Sequence, residues 1–187
     1  MNSKDFLAIK GKLPNLRKQL VASPYGQIPR SVEFLETAIG KATSLDDKIA
    51  LYSLLLSECS RCRNYELEVH FLRQRLREWA NDPFPLTSLA TALAREQSTR
   101  DEALQLAAQA VSLAKKQDRQ VKYSLTCQAR VALEVGDYAV FNGALRGLIE
   151  DASNYREEDH GLEFDFLEHV DPNQVDTELV SQYRVLR

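Results

Sequence analysis

Amphipathic helical segments recur in pairs along this chain, with a period of about 35 residues that is typical of helical repeat proteins. The turn inside each pair lies near one of three residues: Asn64, Arg100 and Gly136. A single helical hairpin is too thin to bury its own apolar face, so hairpins repeated at this period stack into a solenoid with a concave surface. The sequence therefore predicts an all-α fold whose surface is suited to holding another polypeptide.

The spacing of apolar residues divides the chain into three regions. It predicts helices over residues 4–22, 30–42, 45–62, 65–80, 86–97, 99–116, 119–135 and 138–152. Apolar and acidic residues then alternate over 162–166, which predicts a short extended stretch, and Asp171 followed by proline predicts the start of a last helix that caps the stack. We expect a single domain over 1–187, with N-terminal helices in 1–43, three hairpins in 44–153, and an acidic segment plus the capping helix in 154–187.

Two helix boundaries carry specific capping signals. Ser44 followed by Asp47 resembles a capping box, in which the hydroxyl accepts a free backbone N–H at the start of a helix. Gly136 suits the left-handed residue that ends a helix, and Asp137 suits the cap that begins the next one. These residues predict where the first and third hairpins begin and turn.

The composition is that of an ordinary globular protein, with 44% hydrophobic and 27% charged residues. No apolar run approaches the roughly 20 residues that a membrane helix needs, and Lys10 interrupts the N-terminal apolar stretch too early for a signal peptide. Three cysteines, an odd number, do not suit a secreted disulfide framework. We therefore expect a cytoplasmic protein that does not enter a membrane.

Charge is distributed unevenly. Residues 1–156 hold 22 Lys/Arg and 18 Asp/Glu, whereas residues 157–187 hold 2 Lys/Arg and 9 Asp/Glu. Opposite signs in the body and the tail favour contact between them, within one protomer or between two. The simpler alternative is that the acidic tail is a solvated surface.

The hairpin sequences resemble tetratricopeptide (TPR) repeats over about 46–153. The clearest match, 125–148, has small, Gly-Asp-Tyr and apolar residues at the corresponding positions: Ala129, Ala132, Gly136, Asp137, Tyr138, Ala144 and Leu145. The resemblance implies a right-handed superhelix of α-α hairpins whose first helices form a concave, peptide-binding face. Some TPR domains hold a chaperone's terminal carboxylate with lysines and asparagines, but the corresponding positions here contain neither residue.

Three arginines occupy similar positions in the predicted first helices. Arg61, Arg95 and Arg130 are separated by 34 and 35 residues, which predicts a ladder along one surface. A guanidinium group presents a planar fork that suits carboxylates and phosphates, so the ladder would hold an acidic segment of a partner or the chain's own 157–171. The alternative is that these are unrelated solvated arginines. The remaining candidate groove residues are Ser57, Ser88, Tyr123 and Glu134.

The cysteines and histidines do not form a recognisable metal motif. Cys59 and Cys62 have CxxC spacing, but they lie within a predicted helix, and only Cys127 and His70 are available to complete a site. Small buried cysteines are therefore the preferred interpretation. Because His160 and His169 also lack a characteristic spacing, we expect no metal and no cofactor.

One short match suggests an enzyme. Arg63 and Asn64, followed by His70, resemble the Arg-x(4–6)-His signature of HEPN-domain ribonucleases, which are all-helical and metal-independent. The resemblance implies that the arginine and histidine assist attack by a ribose hydroxyl. Against it, the repeat places Arg63 and Asn64 in a turn, and the chain lacks the basic and aromatic pattern expected for binding RNA.

The patterns together favour a binding protein without catalytic residues. We expect a protein–protein interaction module that captures an acidic peptide or helix in its groove, as an adaptor, a small chaperone or an immunity-type protein. Nucleic acid is not the expected partner. The alternatives are the HEPN-like ribonuclease and a homodimer formed through the apolar end helices.

Overall fold

A computed structural model describes residues 3–151 and 170–185 of the chain. Nine α-helices lie in these residues: α1 (Ser3–Leu16), α2 (Arg30–Lys41), α3 (Leu45–Cys62), α4 (Tyr65–Glu78), α5 (Pro83–Leu93), α6 (Arg100–Gln117), α7 (Val121–Val135), α8 (Tyr138–Glu150) and α9 (Thr177–Val185). Strands β1 (Leu20–Ser23) and β2 (Gly26–Pro29) form an antiparallel hairpin, and a 3-10 turn covers Gln97–Thr99. The chain divides into two compact units, Met1–Arg75 and Leu76–Arg187.

The predicted all-α character is confirmed for these residues, and so are both capping signals. The Ser44 side chain accepts a hydrogen bond from the backbone N–H of Asp47 at 3.2 Å. Gly136 has a φ of 81° at the end of α7, and the Asp137 carboxylate accepts from the N–H of Val140 at 3.0 Å. Local hydrogen-bond chemistry therefore determines these helix ends, as the sequence predicted.

The first predicted helix, 4–22, is wrong over its last six residues. Helix α1 continues through Pro14 but ends at Leu16, and residues 20–22 pair with β2 instead of continuing the helix. The turn stabilises this pairing, since the Ser23 hydroxyl donates to the Gly26 carbonyl at 2.9 Å and accepts from the Tyr25 N–H at 3.1 Å. Gly26 has a φ of 89°, in the left-handed region that favours glycine.

Two predicted helix starts are also misplaced. The last helix begins at Thr177, because the carboxylate of Asp176 accepts from two N–H groups of its first turn, whereas Asp171 forms a separate turn by accepting from the Asn173 N–H. Helix α5 starts three residues earlier than expected, at Pro83, where Asp82 provides the cap. The expected extended stretch at 162–166 lies outside the described residues.

The first unit is organised around α2 and α3. Their apolar faces pack together, and the hairpin contributes the buried Ile28. Glu58 lies on the packed face of α3, and its carboxylate binds Arg17, just after α1, and Ser31, at the start of α2. The buried side chains of the two helices include Val32, Leu35, Ile39, Leu51, Tyr52 and Leu55.

The second unit consists of successive packed helices. Helices α5, α6, α7 and α8 each pack against the next, α5 also contacts α7 directly, and α9 packs on α8. Alanines allow the close approach of α5 and α6: Ala90, Ala94, Ala103, Ala107 and Ala110 are buried. The last helix buries Leu179 and Tyr183 against a core that contains Phe141, Leu145 and Leu148. No described helix combines the length and the hydrophobicity needed to cross a membrane.

Candidate functional site

A cleft of about 360 Å3 opens in the second unit beside the C-terminal ends of α5 and α7. Arg95, Arg130 and Glu134, all predicted groove residues, line it together with Thr91 and Tyr138. The cleft therefore combines two guanidinium groups, one carboxylate and a tyrosine ring. The sequence analysis did not place Thr91 or Tyr138 in the groove, and the rest of the lining is apolar: Ala94, Val131 and Leu133.

The local sequence explains why these side chains meet. Helix α5 ends at Leu93, and the N–H groups of Arg95 and Glu96 bind the carbonyls of Ala92 and Leu93, which places Arg95 just beyond the helix. On α7, Arg130 and Glu134 are four residues apart and so lie on one helix face. The turn at Gly136 then brings Tyr138, the first residue of α8, to the same end of the unit.

Side-chain contacts join α5 to α7 below the cleft. The Thr91 hydroxyl and the Cys127 sulfur lie 3.3 Å apart, and the Cys127 thiol also donates to the Thr87 carbonyl at 3.4 Å. Burial raises the pKa of Cys127 to about 11, although the bond to Thr91 and the charge of Arg130 act in the opposite direction. The thiol is thus neutral at physiological pH and serves as a packing residue.

An aromatic pair lies at the other end of the same two helices. The rings of Phe84 and Tyr123 are stacked, with centroids 5.6 Å apart and planes inclined by 17°. Tyr123 is 40% exposed, although it is a large aromatic residue. Ser88, between this pair and the cleft, is half-buried and donates its hydroxyl to the Phe84 carbonyl at 2.9 Å.

The two other predicted groove residues belong to the first unit. Ser57 and Arg61 are exposed on α3, and the Arg61 Nε lies 4.0 Å from Oε1 of Glu58. The structure thus brings Arg95 and Arg130 together in one cleft. The alignment of Arg61 with them stays a prediction.

The strongest polar cluster of the first unit centres on Glu58, which the sequence analysis did not identify. The side chain is 3% exposed, and its two oxygens accept from Arg17 at 2.6, 2.8 and 3.0 Å and from the Ser31 hydroxyl at 2.8 Å. Burial alone would raise the pKa of Glu58, but the hydrogen bonds and charge of Arg17, with help from Ser31, hold it below its usual range. Because these donors occupy both oxygens, the cluster acts as a structural link. The sequence signal that could have identified this cluster is a glutamate on the apolar face of α3.

The CxxC cysteines occupy packing positions as well. Burial raises the pKa of Cys59 to about 12 and also raises the pKa of Cys62, whose thiol donates to the Glu58 carbonyl at 3.0 Å. Neither thiol therefore has the low pKa of a reactive cysteine. Among residues 3–151 and 170–185, no group of three or more His, Cys, Asp or Glu side chains could hold a metal ion. His160 and His169 lie outside these ranges.

The residues of the ribonuclease-like match have local structural contacts. Asn64 donates to the Tyr25 carbonyl at 2.9 Å and accepts from the Leu67 N–H at 3.0 Å, so it links the hairpin to the first turn of α4. The His70 ring lies 5.1 Å from the rings of both Tyr25 and Phe71. Arg63, as predicted, lies in the turn after α3, where its φ is 51°. Nothing in these contacts favours the ribonuclease hypothesis.

Comparison of the chain with protein-family models, with curated proteins and with solved structures gives no match. The resemblance to TPR repeats therefore stays a prediction from the residues quoted above.

Proposed function

We propose that this protein is a protein–protein interaction module and that a peptide or helix of another protein binds along α5 and α7. We call this region the α5–α7 surface. Its members are Phe84, Ser88, Thr91, Arg95, Tyr123, Arg130, Glu134 and Tyr138. The observation that supports the proposal is the cleft in which Arg95 and Arg130 meet beside an aromatic ring.

The chemistry of the cleft suits a carboxylate. Guanidinium groups bind carboxylates through paired, charge-assisted hydrogen bonds, and arginine and tyrosine are enriched among the residues that dominate binding energy in protein interfaces. Exposed charges of this kind set the register of a partner and speed its association, while buried apolar area supplies most of the affinity. An adaptor, a chaperone and an immunity-type protein would all use such a surface, and the partner's identity would distinguish these roles.

Charge reversal in the cleft tests the proposal. A partner is first captured from host lysate and purified, and its affinity is then measured by calorimetry for the double variant Arg95→Glu/Arg130→Glu. The matched control is Arg77→Glu/Arg146→Glu, which introduces the same charge change at two exposed positions outside the cleft. We expect the cleft variant to lose about 100-fold or more in affinity, and the control to stay within about threefold of wild type.

Circular dichroism must show that both variants remain folded. Equal affinities of the two double variants would contradict the proposal, because binding would then occur away from the cleft.

A further inference from the structure

The first 30 residues are strongly basic, in contrast to the rest of the chain. They hold six Lys/Arg and one Asp/Glu, whereas residues 31–187 hold 18 Lys/Arg and 26 Asp/Glu. Two of the six cations have acidic partners, because Arg17 binds Glu58 and the Arg30 Nε lies 4.0 Å from Oε2 of Glu33. The other four are exposed lysines: Lys4, Lys10, Lys12 and Lys18.

Two exposed leucines lie among these lysines. Leu7, on α1, is 64% exposed, and Leu20, the first residue of β1, is 60% exposed. Only one large apolar side chain in the described part of the chain is more exposed than these two. Leu7 is three residues from both Lys4 and Lys10, so these side chains lie on one side of α1. Leu20 follows Lys18 by two residues.

Other apolar residues supply the packing of α1 and the hairpin. Leu13 of α1 is buried, and so is Ile28 of β2, which pairs with the half-buried Val21 of β1. Leu20 and Ala22 belong to the other side of β1, which is exposed, because side chains alternate along a strand. The fold therefore does not require either exposed leucine for packing, and a polar residue at either position should leave it intact.

We infer that the exposed side of α1 and β1 binds the surface of a bilayer that contains anionic lipids. The ammonium groups of the four lysines would lie among the lipid phosphates and carboxylates. Leu7 and Leu20 would enter the boundary between the headgroups and the acyl chains. The contact involves no membrane-spanning segment and none of the residues of the α5–α7 surface, so this binding goes beyond the proposed function.

The types of exposed residue favour a bilayer over other anionic partners. Lysine is depleted in protein–protein interfaces, where arginine and aromatic residues are enriched. A nucleic acid would use the lysines but leave both leucines in water, and no aromatic side chain of residues 3–30 is exposed for stacking on a base. An anionic bilayer uses both residue types, since each lysine near its surface strengthens binding about fivefold and each inserted leucine strengthens it about tenfold.

Sedimentation of the full chain with lipid vesicles tests the inference. One set of vesicles consists of phosphatidylcholine alone, and the other also contains about 30% phosphatidylserine. We expect binding to the second set only, and binding at least tenfold weaker when the salt concentration is raised from about 0.1 M to about 1 M, because salt screens the lysines. Equal binding to both sets, or no binding to the phosphatidylserine vesicles, would overturn the inference.

Variants of the leucines separate insertion from simple charge attraction. Leu7→Ser/Leu20→Ser should weaken binding to the phosphatidylserine vesicles about tenfold or more. The matched control is Leu45→Ser/Val185→Ser, which changes two apolar side chains that are 54% and 85% exposed elsewhere in the chain, and it should bind like wild type. Circular dichroism must show that both variants remain folded. If Leu7→Ser/Leu20→Ser binds as tightly as wild type, the leucines stay in water and the inference is wrong.

Charge variants assign the basic contact. Lys4→Gln/Lys10→Gln should weaken vesicle binding about 20-fold, whereas Lys115→Gln/Lys116→Gln, at two exposed lysines of α6, should stay within about threefold of wild type. Arg95→Glu/Arg130→Glu should also bind vesicles like wild type, and a loss in that variant would move the lipid contact to the cleft and overturn the inference. Binding of the wild type to duplex DNA but not to vesicles would overturn it as well.

Discussion

Replacing Glu58 by glutamine tests the physical account of the first unit. The substitution retains the shape of the side chain but removes the negative charge and turns one accepting oxygen into a donating amide. That amide would face Arg17 or the Ser31 hydroxyl, both of which donate to the carboxylate in the wild-type protein. The variant therefore loses charge-assisted hydrogen bonds and gains a buried clash between donors.

The loss of stability in Glu58→Gln can be bounded from the exposed fractions of Glu58 and Arg17. Removing one member of a fully buried ion pair costs about 3–5 kcal/mol, because the other charge stays buried without compensation. Here the Arg17 side chain is 35% exposed, so water can solvate part of its charge once the carboxylate is gone. We therefore expect Glu58→Gln to lower the free energy of unfolding by about 2–3 kcal/mol at neutral pH.

The effect should also depend on pH in a defined direction. The pKa of Glu58 is lowered in the folded protein, so the stabilisation is fully present above the carboxyl group's unfolded pKa and is lost as the pH falls through the lower folded value. Glutamine does not titrate. The difference in stability between wild type and variant should therefore shrink between about pH 7 and about pH 3.

Urea unfolding at both pH values, followed by circular dichroism, measures this difference, and hydrogen–deuterium exchange of α3 peptides assigns it to the first unit. Glu36→Gln is the matched control, because Glu36 is an exposed acid on α2. A variant as stable as wild type at pH 7 would refute the reasoning, and so would a difference that stays constant on acidification.

Two other predictions concern the backbone and the thiols. Gly136→Ala should destabilise the protein by about 1 kcal/mol, because the φ of Gly136 is 81°. Gly143→Ala should be neutral or stabilising, because Gly143 lies inside α8 and a Cβ there would meet open space. Thermal unfolding that ranks the two variants in the opposite order would contradict this account. Burial raises the pKa of Cys127 to about 11 and that of Cys59 to about 12. Both thiols should therefore react with a chromogenic disulfide reagent at pH 8 only at the rate of unfolding. Fast labelling of either thiol in the native protein would contradict this prediction, because it would show that the thiol is accessible.

The parts of the fold that the sequence predicted correctly are those determined by local chemistry. Ser44 and Gly136 mark helix ends through hydrogen bonds and dihedral angles that involve only neighbouring residues. The β1–β2 hairpin was missed because the β1 residues Leu20, Val21 and Ala22 contain no signal that excludes a helix, and their pairing with β2 across the turn decides between helix and strand. In α9, two nearby aspartates both suit a helix cap, and only the folded structure shows that Asp176 is the one used.

For the candidate site as well, some residues were predictable from the sequence and others depended on tertiary packing. The repeat period predicted Arg95 and Arg130 at corresponding positions of two first helices, but α5 ends at Leu93 and not at Gln97, so Arg95 follows its helix whereas Arg130 lies within α7. Both residues nevertheless line the same cleft. Thr91 and Tyr138 were missed because their place in the cleft depends on how α5, α7 and the start of α8 pack. Glu58 was missed for a similar reason, since its partners Arg17 and Ser31 are 41 and 27 residues away in the sequence.

The link between Arg17 and Glu58 has a practical consequence for choosing expression boundaries. Arg17 lies just after α1. A shortened chain that begins at the β1–β2 hairpin would retain both described strands and helices α2 to α9. It would nevertheless leave the Glu58 carboxylate buried without its cation, beside only the Ser31 hydroxyl and the more distant Arg61. Deleting the first 19 residues, which removes α1 and its buried Leu13, should therefore lower the yield of folded protein, and Glu58→Leu in the shortened chain should recover only the part of that loss that the buried charge causes.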